Sequence, residues 1–126
     1  MLKQLTLIFI LAFSFTSFSQ SEERSIAFYN VDNLFDTLDT PDKNDAEFLP
    51  EGKNNWNSIK YEKKISRINK VFNELELPLI IGLCEIENEQ VVIDIVKGGR
   101  MSGTHAVVHT ESLDKRGIDN AIIYDS

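Results

Sequence analysis

The stretch that most constrains this chain is Leu79-Ile80-Ile81-Gly82-Leu83-Cys84, an unbroken apolar run that stops on Glu85. It has the length of a strand, follows Pro78 and lacks the alternation of a half-solvated strand, so it predicts an inner strand of an α/β sheet, covered on both faces. An inner strand needs neighbours, and the flanking sequence supplies them. Ser25 to Val31 is β-branched and aromatic and reads as a strand. Asp36 to Asn57 is an acidic loop punctuated by Pro41, Pro50 and Gly52. Tyr61 to Leu75 places Ile65, Ile68, Val71, Phe72 and Leu75 on one helical stripe, with Ser58 as the expected N-cap. A second helix is expected from Glu89 to Val96, stopped by Gly98 and Gly99. Short strands follow at His105 to His109 and Ile118 to Tyr124, joined by the polar loop Thr110 to Gly117. The order β-loop-α-β-α-β-β is an α/β pattern with part of a mixed sheet.

The N-terminus reads differently. Lys3 is followed by an apolar, hydroxyl-rich run from Leu5 to Phe18 and a small-residue exit at Ser17-Phe18-Ser19. That is the layout of a secretory signal peptide and too short for a comfortable membrane span. Residues 1–20 are therefore expected to be a leader and residues 21–126 a single partial domain, exported to the periplasm or the outside. No second long apolar run follows, so no stable membrane insertion is expected after cleavage. The chain carries 13 basic and 20 acidic residues, a net charge of −7, and loss of Lys3 with the leader makes it one more negative. Such a field does not draw in nucleic acid, so an enzyme of phosphate esters built on this chain needs a bound cation. The single cysteine, Cys84, excludes an internal disulfide, and its apolar neighbours suit a small buried hydrophobe.

Several chemistries are absent. Lys97 to Gly103 fits neither phosphate-binding glycine fingerprint, no histidine pair has helical metal spacing, and no serine sits in a nucleophile elbow. The acidic loop Asp36–Asp45 lacks the oxygen spacing of an EF-hand. What remains is a pair of polar strand ends. A carboxylate at Glu85 is costly to bury alone, yet at the carboxyl end of an inner strand it faces the crevice where α/β sheets bind ligands. A hard divalent cation would offset that cost; the competing reading is that Glu85 opens a solvated loop with Glu87 and Glu89. Asn30 and Asp32 close the first strand, and regular alternation puts them on one face, roughly 6.5–7 Å apart. The competing reading there is an Asx-type turn over Asn30 to Asn33.

Three segments then stand together: Phe28-Tyr29-Asn30-Val31-Asp32-Asn33-Leu34-Phe35-Asp36, Ile80-Ile81-Gly82-Leu83-Cys84-Glu85-Ile86-Glu87-Asn88, and Arg116-Gly117-Ile118-Asp119-Asn120-Ala121-Ile122-Ile123-Tyr124. In order and spacing they resemble three consecutive motifs of the endonuclease/exonuclease/phosphatase family. The resemblance implies an α/β fold, the N-terminal half of a two-sheet sandwich with helices outside. It implies a phosphoesterase, most often a nuclease acting on phosphodiesters, that uses Mg²⁺ or Mn²⁺. It gives Asn30 and Glu85 catalytic and metal-binding roles, with Asp32 as an assisting ligand. It makes Arg116 a phosphate contact, with Asp119 orienting it on the substrate side. The implied partner is a phosphate ester, nucleic acid first, with phosphomonoesters and lipid head groups as other members' substrates. The family's later motifs, an Asp-x-Asn and a Ser-Asp-His, do not follow the Arg116 turn, and His105 and His109 precede it. The chain, ending at Ser126 directly after a strand, therefore reads as an N-terminal fragment of such an enzyme. The alternatives are an exported module that binds a metal or partner without turnover, and an inactive gene fragment.

Overall fold

The computed structural model describes residues 24–126; the expected leader lies outside the described residues. Strand β1 (Ile26–Leu34) runs into a long loop holding one 3₁₀ turn (Ala46–Phe48). Helix α1 (Ser58–Glu74), strand β2 (Ile80–Ile86), helix α2 (Glu89–Lys97), and strands β3 (His105–Thr110) and β4 (Asp119–Asp125) follow. The order matches the sequence reading, with boundaries shifted by a few residues. The N-cap of α1 is Asn57 rather than Ser58: its side chain accepts the Lys60 N–H at 3.1 Å, so the helix starts one residue earlier than the expected cap implied. Asn57 is as good a cap as serine and its extended backbone suits the position. No helix among the described residues is long and apolar enough to cross a membrane.

The sheet order is β1-β2-β4-β3, with β1 and β2 parallel and the other two pairings antiparallel. β2 is thus an inner strand, as its apolar run requires. Both helices lie against one face. Ile65, Ile68 and Phe72 of α1 and Val91, Val92, Ile95 and Val96 of α2 pack onto Ile81, Leu83 and Ile86 of β2 and their neighbours. Each such fully buried aliphatic side chain contributes about 1.5–3 kcal/mol. The Phe72 ring meets Tyr29 of β1 edge-on, 5.8 Å between centroids, which ties α1 to the first strand. Leu75, expected on the stripe, falls at the C-cap and stays exposed.

The other sheet face departs from expectation. Among the described residues β2 is covered on one side only. Register-paired residues share a face, so Phe28, Gly82, Ile122 and Val108 form one row across all strands, and Ile26, Ile80, Tyr124 and Ala106 the next. Phe28 is 87% exposed and Ile26 62%, with Val108, Ile122 and Tyr124 also exposed. An apolar face of this kind is what the second sheet of a two-sheet sandwich covers. The observed mixed sheet with helices on one side is half of that architecture. Cys84 is half-buried, its Sγ 4.0 Å from the Tyr29 carbonyl oxygen.

Candidate active site

Strand register brings the three motifs to one level. Asn30 of β1 lies beside Cys84 of β2, and Cys84 beside Asn120 of β4. At that level the ladder breaks on both sides. Pairing of β1 with β2 jumps from Asn30/Cys84 to Leu34/Ile86, and pairing of β2 with β4 jumps from Cys84/Asn120 to Ile86/Asp119. Glu85 is therefore an extra residue of β2 against β4, while against β2 the excess lies in β1; Glu85 has φ of 64°, and Asp32 and Asn33 of β1 have φ of 57° and 60°. Seven non-glycine residues of the described chain have positive φ, and these three sit together. The left-handed conformation costs about 1–2 kcal/mol per residue, and strain concentrated like this marks functional segments.

The bulge has a direct effect on side-chain direction. Ile81 and Leu83 point into the core, and strict alternation would send Glu85 after them. The extra residue shifts the parity, so that Ile86 takes the buried position and Glu85 turns out half-buried. The same shift in β1 puts Leu34, not Asn33, into the core after Val31. Regular alternation of Asn30 with Asp32 therefore ends at this point. Asn30 Oδ1 accepts the Asp32 N–H at 2.7 Å, an Asx-type turn, while Asn30 Nδ2 donates to Glu85 Oε1 at 2.9 Å. One asparagine side chain thus makes both the Asx-type turn and the contact with Glu85.

Glu85 Oε2 accepts the Asn33 N–H at 3.1 Å. Each carboxylate oxygen thus takes one hydrogen bond and keeps further acceptor capacity. Among the described residues no cationic side chain lies within ion-pair distance of Glu85 or Asp32, and the Asp32 side chain is exposed. A cation is held one step away. Lys64 Nζ donates to the carbonyl oxygens of Asp32 and Asn33, the latter at 3.1 Å, and lies 5.5 Å from the centre of the Trp56 ring. Trp56 in turn donates its indole N–H to the Phe35 carbonyl at 2.9 Å. Burial lowers the Lys64 pKa from its ordinary value, opposed by the charges of Asp32 and Glu85.

The third motif sits beside this pair. The Arg116 guanidinium folds back on Asp114 at 3.0 and 3.2 Å and stays exposed; that hydrogen bonding raises its pKa, and the Glu85 charge adds to the effect. Gly117 at φ of 78° makes the turn that a side chain would strain. Asp119 has a fully buried side chain that accepts the Ser112 N–H at 2.7 Å and meets His109 Nε2 at 2.9 Å. It orients the loop that carries Arg116 and presents no surface of its own. His109 is largely buried and is partnered by Asp119. His109, Glu111 and Asp119 could together offer ligand atoms to a metal. Their charge is already countered from within, since Lys43 Nζ sits 2.6 Å from Glu111 and both Asp119 oxygens are taken.

Sequence reading missed three residues around the site. Glu87, read as a possible loop residue, is buried at 5% exposure and accepts the Asp36 N–H at 2.7 Å and the Thr40 hydroxyl at 2.8 Å. It pins the start of the acidic loop, and burial raises its pKa above the usual carboxylate value. Lys64 and Trp56 looked like solvated and loop residues. Their only signal was adjacency of Lys64 to the apolar stripe, which turns its stem inward. A cavity of about 750 Å³ lies at the amino ends of β1 and β2, lined by Ser25, Leu79 and Asp125 among others. α/β sheets bind ligands at carboxyl ends, and there a groove of about 550 Å³ runs between α1 and β1, reaching Asn30, Asp32, Trp56 and Lys64.

No curated protein and no solved structure matches the chain. A family model does, over residues 25–126, which takes in all three motifs and every described strand and helix. The chain belongs to the Endonuclease/Exonuclease/phosphatase family.

Proposed function

We propose that this chain carries the metal-binding side of a divalent-metal-dependent hydrolase of phosphate esters, with phosphodiesters of nucleic acid as its substrate. Family membership supports the general reaction, since the family acts on phosphate esters. The observation that carries the site is Glu85: a bulged, left-handed residue at the carboxyl end of an inner strand, its carboxylate hydrogen-bonded to Asn30 and free of any ion pair among the described residues. The available donors are hard oxygens with room left for water, which suits Mg²⁺ or Mn²⁺ held by one or two carboxylates. Glu85 is the principal ligand in this reading, and Asn30 and Asp32 assist it.

When bound, the cation supplies Lewis-acid polarisation of a phosphoryl oxygen and stabilises charge on the leaving oxygen. The chain's own residues do the rest. Asn30 Nδ2 and the Asn33 N–H fix the Glu85 carboxylate. Arg116, released from Asp114, offers a fork of donors to non-bridging phosphate oxygens. Asp119 and His109 hold the loop from which it reaches. The base that takes the proton from the attacking water is not assigned to any residue of this chain.

Nucleic acid is favoured over a monoester by the local charge. Lys60, Lys63, Lys64 and Arg67 recur at i, i+3, i+4 and i+7 on α1 and line the groove beside Asn30 and Asp32, with Trp56 at its mouth. Such a face attracts a phosphate backbone although the net charge of the whole chain is −7. The test is hydrolysis of a plasmid or oligonucleotide with Mn²⁺ and with chelator. Turnover that requires the metal and disappears in Glu85→Ala supports the reading. Metal binding without turnover leaves a binding module, and metal-independent turnover or an active Glu85→Ala refutes it. The exported location is proposed from residues 1–20 alone, and N-terminal sequencing of the mature protein should begin near Gln20 or Ser21; a start at Met1 overturns it.

A further inference from the structure

The geometry points to Lys64 as a positioning residue for the metal site, acting through the Asp32–Asn33 backbone on Glu85. The inference rests on the reading that Glu85 and Asn30 hold a divalent cation.

Consecutive residues in one helical conformation aim their carbonyls to the same side, whichever the hand. Asp32 and Asn33, both left-handed, sit outside the regular β1–β2 ladder and do this. Their carbonyl oxygens converge on a single ammonium, Lys64 Nζ. An ammonium is suited to the task, because it carries several donors and no acceptor. The peptide that joins Asp32 to Asn33 gives its carbonyl oxygen to Lys64 and its N–H to Glu85 Oε2. Rotation of that peptide out of the left-handed region would therefore move the donor away from the carboxylate. Lys64 is itself fixed from two directions, by its place on α1 beside the buried Ile65 and Ile68 and by the Trp56 ring over its charge. A solvated lysine would need neither.

Two roles for this cation make opposite predictions. As a bare positive charge near Glu85, Lys64 would repel a bound divalent ion, and its removal would tighten binding. As a clamp, its removal lets the strained pair relax and weakens binding. Loss of a residue that orients a metal ligand lowers affinity by about 10–100-fold.

The experiment is titration of the full chain with Mn²⁺, reading free Mn²⁺ by electron paramagnetic resonance, for wild type, Lys64→Met, Lys64→Arg and Glu85→Ala. The expected result is that Lys64→Met weakens affinity by about tenfold or more, and that Lys64→Arg, which keeps donors and charge, returns to within about threefold of wild type. Asn69→Ala, which loosens the helix layer without touching the site, should leave affinity within about twofold, separating positioning from general destabilisation. Unchanged or tighter binding in Lys64→Met, alongside Glu85-dependent binding in wild type, overturns the clamp and leaves the metal site standing. Wild type without Glu85-dependent binding overturns both. If Lys64→Met does not fold, Lys64→Gln is read by the same criteria.

Discussion

Replacing Gly99 by alanine should change sign according to what stands at position 69. Gly99 follows α2, and a Cβ built on it falls 2.0 Å from Asn69 Oδ1 and 2.6 Å from Asn69 Cγ. Asn69 is buried on α1 and donates its amide to the Ile95 carbonyl at 2.9 Å, a polar link between the helices beside the Tyr61–Asp94 hydrogen bond. Gly99 does not have a positive φ, so its backbone accepts alanine without strain. The cost of Gly99→Ala in wild type is therefore displacement of Asn69. That breaks the bond to Ile95 and leaves buried polar groups unpaired, about 1–3 kcal/mol. It is offset by the entropy that alanine removes from the unfolded chain, about 0.4–1 kcal/mol. The net effect should be destabilisation by about 1–2 kcal/mol. In an Asn69→Ala background the clash and the bond are both gone, and the same substitution should stabilise by about 0.4–1 kcal/mol. Urea unfolding of the four proteins of this cycle, followed by far-UV circular dichroism, measures the coupling directly. Equal effects of Gly99→Ala in both backgrounds would refute the reasoning.

Other predictions follow from the surroundings of the site. Glu87 has a raised folded-state pKa, because burial outweighs its hydrogen bonds. A raised carboxylate contributes stability below its ordinary pKa and loses it as pH rises through the folded value. Wild type should therefore lose stability relative to Glu87→Gln between pH 4 and pH 7, read from melts at each pH; a relative gain over that range would contradict the burial argument. Asn88 caps α2 through the Val91 N–H and donates to Asp36 Oδ2, both at 3.1 Å, so Asn88→Ala should cost about 1 kcal/mol or more in chemical unfolding. Phe28, exposed on the uncovered sheet face, should behave differently. Phe28→Ser should lower self-association in analytical ultracentrifugation while changing stability by less than about 1 kcal/mol.

Much of this fold was legible because burial leaves a pattern. The stripe of Ile65, Ile68 and Phe72 and the apolar run of β2 announce their elements, and each helix begins or ends on a residue that stops it. The motif order was legible too, and the strands do bring Asn30, Glu85 and Asp119 to one level of the sheet. What was hidden are features without a sequence period. One extra residue at Glu85 reverses which side chains face the core, and glutamate gives no sign of adopting the left-handed region. The apolar run of β2 suggested cover on both faces, whereas only one face is covered by the described helices. Lys64 and Glu87 were hidden because a charged residue beside a core stripe looks like any solvated one until its partners, far along the chain, are in place. Asp119 was placed at the substrate, and its burial gives it the role of holding the loop beneath Arg116.

In the reading proposed above, Glu85 and Asn30, and not the His109 cluster, hold the divalent ion. Diffraction data from crystals grown with Mn²⁺, collected at an energy where manganese scatters anomalously, locate the ion without reference to activity. One anomalous peak is expected at about 2.1 Å from a Glu85 oxygen, with Asn30 or Asp32 in its coordination shell. A peak among His109, Glu111 and Asp119, with none at Glu85, would contradict it.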